Sequence, residues 1–296
     1  MKKILFKLLR FSGLPLLFRE FIQKNKVSIL VFHDIDKETA ERTFSYLSRK
    51  YNVIGLNDFI KASQNNEGSA IPKKALIITF DDGHIRNYEM LPVIKKYNIP
   101  VTIFLCSSII STNRHFWFKY NERPFSVSKL KEKSNKQRLA FLSQIGFEQD
   151  KEFDRPQALQ KRHIEEMREL VNMQAHTVFH PILPKCTFKE AEKEILGSKE
   201  ALKKNYDLDV NALAYPNGDY SERDIQICKD AGYSSALTVD FGYNTTKTDM
   251  FRLKRLSTND TSDINELIVR SSGVWSFFKT RNGRIQDYGI TTNVEN

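Results

Sequence analysis

Three runs of this chain, Val27–Phe32 (VSILVF), Ala75–Phe80 (ALIITF) and 101–106 (VTIFLC), are apolar at nearly every position. A strand with one wet face alternates apolar and polar residues, so continuous apolar runs of this length call for cover on both faces. The intervals carry helical signals. Residues 39–49 place Phe44 and Leu47 on one face, VIGLNDFI gives a short strand and then a helix start at Asn57 or Asp58, and 87–97 is helical. Alternation of this kind predicts a parallel sheet covered by helices. After residue 159 it resumes, with helices predicted at 164–171, 188–205 and 222–231. Strands are predicted at 173–176, in ALAYP and at 235–239, followed by a short extended segment within 249–256 and a last helix at Ile264–Ser271.

Residues 112–159 break the pattern. RHFWFKY at 114–120 is aromatic and basic, and a charged stretch follows with helical character only around 136–145. This segment is expected to be an insertion, a small helical cap or a substrate lid, in one α/β domain. Composition removes several other classes. Cys106, Cys186 and Cys228 lie far apart, which excludes a disulfide framework, a zinc ribbon and a C-x-x-C redox site as organising principles. A mean hydropathy of −0.47 argues against a polytopic membrane protein.

The formal charge of +10 suggests an anionic partner without naming it. In the N-terminal segment 1–26, Lys7 and Arg10 interrupt the apolar run and Gly13 and Pro15 break it. It is far short of the roughly 20 apolar residues that span a bilayer, and no small-residue cleavage site follows. Two readings stay open: a basic segment lying in the membrane interface, or a helix packed on its own domain. The expected location is cytoplasmic, with peripheral contact at the inner membrane face through residues 1–26, and export is not expected.

In α/β folds of this kind, ligand sites gather beyond the carboxyl ends of the strands. Four predicted strand ends carry His33-Asp34, Asp81-Asp82-Gly83, His176 to Pro181, and Pro216-Asn217-Gly218. Two imidazoles at His-x-x-x-His spacing and a carboxylate from another strand end, here His176, His180 and Asp82, suit Zn²⁺ or a neighbouring divalent metal. Two adjacent carboxylates ionise together only with difficulty unless a cation is near, so one of the Asp81-Asp82 pair ligates while the other accepts a proton from water.

The run ITFDDGHIRNYEMLPVIKKYNIPVTIFL, then AHTVFHPIL, then AYPNGDY, resembles the polysaccharide deacetylase family (NodB homology, carbohydrate esterase family 4). The likeness extends over roughly 27–271. It implies a distorted (β/α) barrel, usually seven-stranded, spanning 27–296 with the 112–159 insertion. It also implies metal-dependent hydrolysis of N- or O-acetyl groups on sugars. By the resemblance Asp81 is the general base, and Asp82, His176 and His180 are the metal ligands. The metal is Zn first, with Co, Mn, Ni or Fe accepted by the same set. Tyr215-Pro216-Asn217 forms the oxyanion turn, with the backbone amide of Asn217 as donor.

Two departures stand out. The family's Arg two residues before the motif's Pro is here Ala214, leaving Arg252 or Arg255 to orient Asp81. No His follows His180, so the general-acid role falls to His33, as in the branch similar to poly-N-acetylglucosamine deacetylases. Asp34 is its partner or a bystander. His84 is expected to line the groove, His115 and His163 to face solvent, and Phe116 to Phe118 to anchor the insertion, with stacking on sugar rings as the alternative.

The substrate expected is an acetylated saccharide or a lipid-linked glycan. Removal of a formyl group from a lipid-linked amino sugar is a close alternative, and a glycan- or membrane-binding protein on a disabled scaffold is another. Nucleic acid is not expected, because the basic residues are spread along the chain and form no recognised motif.

Overall fold

The computed structural model describes residues 2–120 and 126–280. The parts of the expected insertion and barrel at 121–125 and beyond 280 lie outside the described residues. Eight strands form one parallel sheet: β1 Val27–Phe32, β2 Asn52–Val53, β3 Ala75–Phe80, β4 Val101–Leu105, β5 Val171–Ala175, β6 Ala212–Ala214, β7 Ser235–Leu237 and β8 Leu256–Ser257. Seven of them run in the order β7-β6-β5-β4-β3-β1-β8, and β2 pairs beside β3. Leu253 bridges Leu237 of β7, and a few residues on Leu256 pairs with Leu30 of β1, so one extended stretch draws the two ends of the curled sheet together. The expected distorted barrel is borne out.

Helices α1 Lys2–Phe11 and α2 Leu14–Leu17 precede β1, and α3 Lys37–Lys50 and α4 Leu56–Gln64 flank β2. After β3, a six-residue 3₁₀ segment, Ile85–Met90, leads into α5 Leu91–Tyr97, a change of pitch that places Pro92 in the first turn, where no N–H is missed. The insertion contributes α6 Val127–Lys131 and α7 Asn135–Gln144. Then follow α8 Lys161–Met167, α9 Phe188–Tyr206, α10 Glu222–Asp230, α11 Ile264–Ser271 and α12 Val274–Thr280. The helix predicted over 164–171 ends at Met167 instead, and β5 begins at Val171, a β-branched residue paired with Val101.

The all-apolar strands are explained by two cores. Alternate residues Val27, Ile29, Ala75, Ile77, Phe104, Ala212 and Ala214 point into the barrel, where Leu56, Phe59 and Ile60 of α4 plug one end. Their neighbours Leu30, Phe32, Leu76, Ile78, Ile103 and Leu213 point outward into a larger core shared with the surrounding helices. Insertion residues Trp117, Leu130, Leu142 and Phe147 form a smaller core with Ile182. The insertion's end returns to the barrel: the Leu159 N–H donates to Gly83 O at 2.9 Å and the Ile85 N–H to Gln157 O at 2.9 Å. The insertion is therefore tied directly to the turn after β3.

Candidate active site

β3 ends at Phe80, and the chain turns at once through Asp82 (φ 72°) and Gly83 (φ 72°). A Cβ at Gly83 would stand 2.7 Å from Leu105 Cδ2, so both the left-handed backbone and the Leu105 side chain of β4 favour glycine there. This turn buries both carboxylates. β5 ends at Ala175, and His176 follows with its N–H on Leu105 O. Thr177 (φ 64°) and His180 (φ 58°) are also left-handed, which folds the segment back so that both imidazoles face Asp82.

Ligand atoms of Asp82, His176 and His180 lie within 4.8 Å of one another, and all three residues are buried. Nε2 of His176 and of His180 stand 3.4 Å and 3.3 Å from Asp82 Oδ1. His176 Nδ1 faces the Ala214 carbonyl at 2.8 Å, which holds its proton there and turns the Nε2 lone pair toward the cluster. Among the described residues, Asp82 Oδ1 and His180 Nδ1 are buried without a hydrogen-bond partner. An orphaned carboxylate oxygen facing two imidazole nitrogens fits a divalent cation. Burial, helped by His176 and Lys131, pushes His180 down to about 3 against the pull of Asp82, so its ring is neutral near pH 7. Burial disfavours an ionised Asp82, but the imidazoles of His176, His84 and His180 around it outweigh that and hold the carboxyl well below its usual range.

His84 is not a surface groove residue. It is buried, with Nε2 3.0 Å from Asp82 Oδ2 and Nδ1 3.1 Å from Lys119 Nζ. It steers the second oxygen of Asp82 while the first faces the histidines. The His176–His180 loop is fixed from outside as well. Glu194 of α9 accepts the N–H groups of Val178 and Phe179, both at 2.8 Å, and burial pushes its carboxyl up to about 7 despite those bonds. Trp117 of the insertion donates Nε1–H to His180 O at 2.8 Å, and the buried Arg138 guanidinium lies 4.6 Å over its ring.

Arg255 answers the departure at Ala214. Its Nη1 and Nη2 reach Asp81 Oδ1 and Oδ2 at 2.7 Å and 2.8 Å, and its Nε donates to Thr238 O at 2.7 Å. Its guanidinium stands 6.0 Å from the Phe104 ring, and the cation comes from the residue before β8, two strands from β3 on the β1 side, rather than from β6. Burial raises the Asp81 pKa, but the Arg255 charge, with His176 and His33, outweighs it and keeps the group below its ordinary value. Arg252 stands away from Asp81 and pairs with Glu222 and, at 3.1 Å, with Asp249.

His33 follows β1 at the same end of the barrel. Its Nδ1 is 3.4 Å from Asp260 Oδ2 and its N–H donates to Asp260 Oδ1 at 2.8 Å. Asp34 instead meets Lys119 at 3.2 Å and Arg86 at 3.7 Å. Burial lowers the His33 pKa, but the Asp260 hydrogen bond and the charges of Asp82, Asp81 and Asp260 carry it up to about 9. The ring stays 45% exposed, so solvent screens part of that effect.

The Pro216–Gly218 turn has Asn217 at φ 60°, and its side chain is bonded to Lys131 of α6 and, at 2.6 Å, to Asp219. Tyr215 is fully buried, with its hydroxyl on Phe251 O at 3.1 Å, and Pro216 is buried beside it. Tyr215 thus packs in the core, while Asn217 between the buried Pro216 and Gly218 is exposed. His163, expected in solvent, is buried and stacked 4.3 Å from Tyr88, where its Nδ1 accepts the Gln160 N–H at the start of α8.

Residues 68–236, more than half of the chain, match the family model described as polysaccharide deacetylase. The chain belongs to the polysaccharide deacetylase family. It is 28% identical over 215 residues to the poly-β-1,6-N-acetyl-D-glucosamine N-deacetylase of Staphylococcus epidermidis, covering 69% of this chain and 60% of that one. It shares its fold with the Streptococcus pyogenes deacetylase PplD (TM-score 0.58, 21% identity, 78% of this chain and 92% of that one). The fold is also that of IcaB from Ammonifex degensii (TM-score 0.59, 17% identity, 84% and 98%). The chain spans about half to three fifths of the length of the curated relatives it matches. The family membership expected from the three motifs is borne out.

Sequence reasoning missed Asp260, His84's place behind Asp82, Trp117's bond to His180 and Glu194. Asp260 had a signal: it lies in the polar stretch TNDTSD just past β8, a strand end like the four that were marked.

Proposed function

We propose that this chain is a divalent-metal hydrolase that removes acetyl groups, chiefly N-acetyl, from a saccharide of a surface polysaccharide or glycolipid. One observation carries the reading. The buried Asp82–His176–His180 cluster and the Arg255-bound Asp81 share one end of the barrel with His33, whose ring is paired to Asp260. Family membership and the likeness to a poly-N-acetylglucosamine deacetylase support the substrate class.

Asp82, His176 and His180 would hold the ion, and zinc suits a set of two imidazoles and one carboxylate. The chemistry such an ion would supply there is polarisation of the acetyl carbonyl and a lowered pKa for water near neutral pH. Asp81 keeps lone pairs on both oxygens beside the Arg255 contacts and takes the proton of the attacking water there. Arg255 fixes the plane of that carboxylate. The amide of Asn217 donates to the oxygen that gains negative charge as the carbonyl carbon becomes tetrahedral. When the C–N bond breaks, His33 gives its Nε2 proton to the departing nitrogen, while Nδ1 stays on Asp260. The products are acetate and the free amine.

The test is acetate release from oligomers of β-1,6-N-acetylglucosamine by metal-stripped and zinc-loaded protein, with the N-formyl analogue alongside. The proposal expects acetate only from the loaded protein. Release of formate with no acetate would move the assignment to deformylation, and hydrolysis of neither would leave a binding protein.

A further inference from the structure

Among the described residues, fourteen large apolar side chains are exposed, and ten of them fall on 4–22 and 277–278. On α1, Ile4 (65% exposed), Leu8 (66%) and Phe11 (70%) recur at helical spacing, with Leu5 beside them. Leu16, Leu17 and Phe21 (74%) continue the surface past the Gly13–Pro15 break. Phe18 meets Phe277 of α12 edge-on at 5.5 Å, which joins the exposed Phe277 and Phe278 to the N-terminal segment.

The opposite face of α1 is engaged. Phe6 is buried with Phe18, Val269 and Val274 and packs 4.7 Å from Trp275, while Arg10 bonds Asn265 of α11. The helix is thus anchored on its own domain and still presents an unpartnered apolar stripe. The reading of a helix packed on its own domain describes the engaged face.

Charge selects the occupant. Residues 1–26 hold seven Lys or Arg against a single carboxylate, Glu20, which is itself paired with Arg19 and Lys74. Lys3 and Lys7, one turn apart and exposed, flank the stripe of Ile4, Leu8 and Phe11. Lys24 is also exposed, beyond Phe21. No helix among the described residues is long and apolar enough to cross a membrane. We propose that the face made by α1, residues 14–22 and the start of α12 docks this protein onto an anionic phospholipid bilayer, its apolar side chains entering the headgroup boundary and its lysines meeting lipid phosphates. Apolar area and cationic attraction add in such contacts. The inference rests on this surface alone and does not depend on the hydrolytic chemistry.

Flotation of the full chain with phosphatidylcholine vesicles, and with phosphatidylcholine–phosphatidylglycerol vesicles, tests it. Binding is expected only to the anionic vesicles and should weaken with added salt. The Lys3→Ala/Lys7→Ala variant should lose about tenfold in vesicle affinity. Leu8→Ser/Phe11→Ser should release the protein from vesicles while thermal melting stays unchanged, because both side chains are already in solvent. The lysine variant, whose positions are solvated, decides the matter if the apolar variant aggregates. Equal binding to neutral vesicles, no binding to either, or a concentration-dependent dimer abolished by Leu8→Ser/Phe11→Ser would each overturn the proposal.

Discussion

At the scale of single residues, the site is governed by how each charge is partnered. Asp81 and Asp82 are adjacent in sequence yet meet different surroundings: a bidentate guanidinium for one, three imidazoles for the other. In the proposed mechanism that difference separates a proton acceptor from a ligand. In its proposed role as acid, His33 owes the rise in its pKa first to the Asp260 hydrogen bond. A cation on Asp82 cancels that residue's share of the upward shift, whereas the Asp260 hydrogen bond remains. Since the folded pKa is raised, the ring holds its proton to higher pH than a free imidazole and loses it as pH rises through that raised value. Asp260→Asn should therefore move the alkaline limb of the pH–rate profile down by about one unit or more. A limb that stays in place would remove Asp260 from this role.

At the scale of elements, the metal loop is held by parts of the chain far apart in sequence. Glu194 of α9 takes two of its N–H groups, and Trp117 of the insertion binds the His180 carbonyl. The insertion thus braces the His180 end of the cluster through Trp117 and reaches the Pro216–Gly218 turn through Lys131. Trp117→Phe keeps most of the ring's packing but deletes the N–H. It should weaken zinc roughly tenfold in a chelator competition and perturb the visible spectrum of the cobalt-substituted protein. A variant with unchanged affinity and spectrum would reduce Trp117 to packing.

The same elements mark what was legible in the sequence. Strands β1, β3 and β4 were plain because residues buried on both faces leave no alternation to misread. The cluster of Asp82, His176 and His180 was legible because its members sit in short motifs at strand ends. The Arg255–Asp81 and His33–Asp260 pairs join residues 174 and 227 positions apart, and no local pattern encodes such a meeting. β6 to β8 have only two or three residues each, too few for any periodicity. The burial of His163 depends on the Tyr88 ring that stacks on it, from a segment far earlier in the chain.

At the scale of the whole molecule, one barrel carries two separate surfaces. Polar and ionisable groups gather beyond the carboxyl ends of the strands. Most of the exposed apolar side chains gather on the N-terminal helices and α12. The excess positive charge, which composition alone left unassigned, is concentrated on the second surface: residues 1–26 supply six of the ten net charges. The segment α1 packs on is α11, which begins four residues after Asp260. The docking face and the His33 pair are therefore neighbours along the chain.

The central claim is that Asp81 moves a proton while Asp82, His176 and His180 hold the metal. Bound zinc and acetate release, measured side by side on the native chain and on Asp81→Asn, test it most directly. One zinc per chain in both proteins, with acetate release lowered at least about a hundredfold in the variant, is the result predicted. Acetate release by Asp81→Asn at the native rate, or a native chain that takes up no zinc, would contradict it.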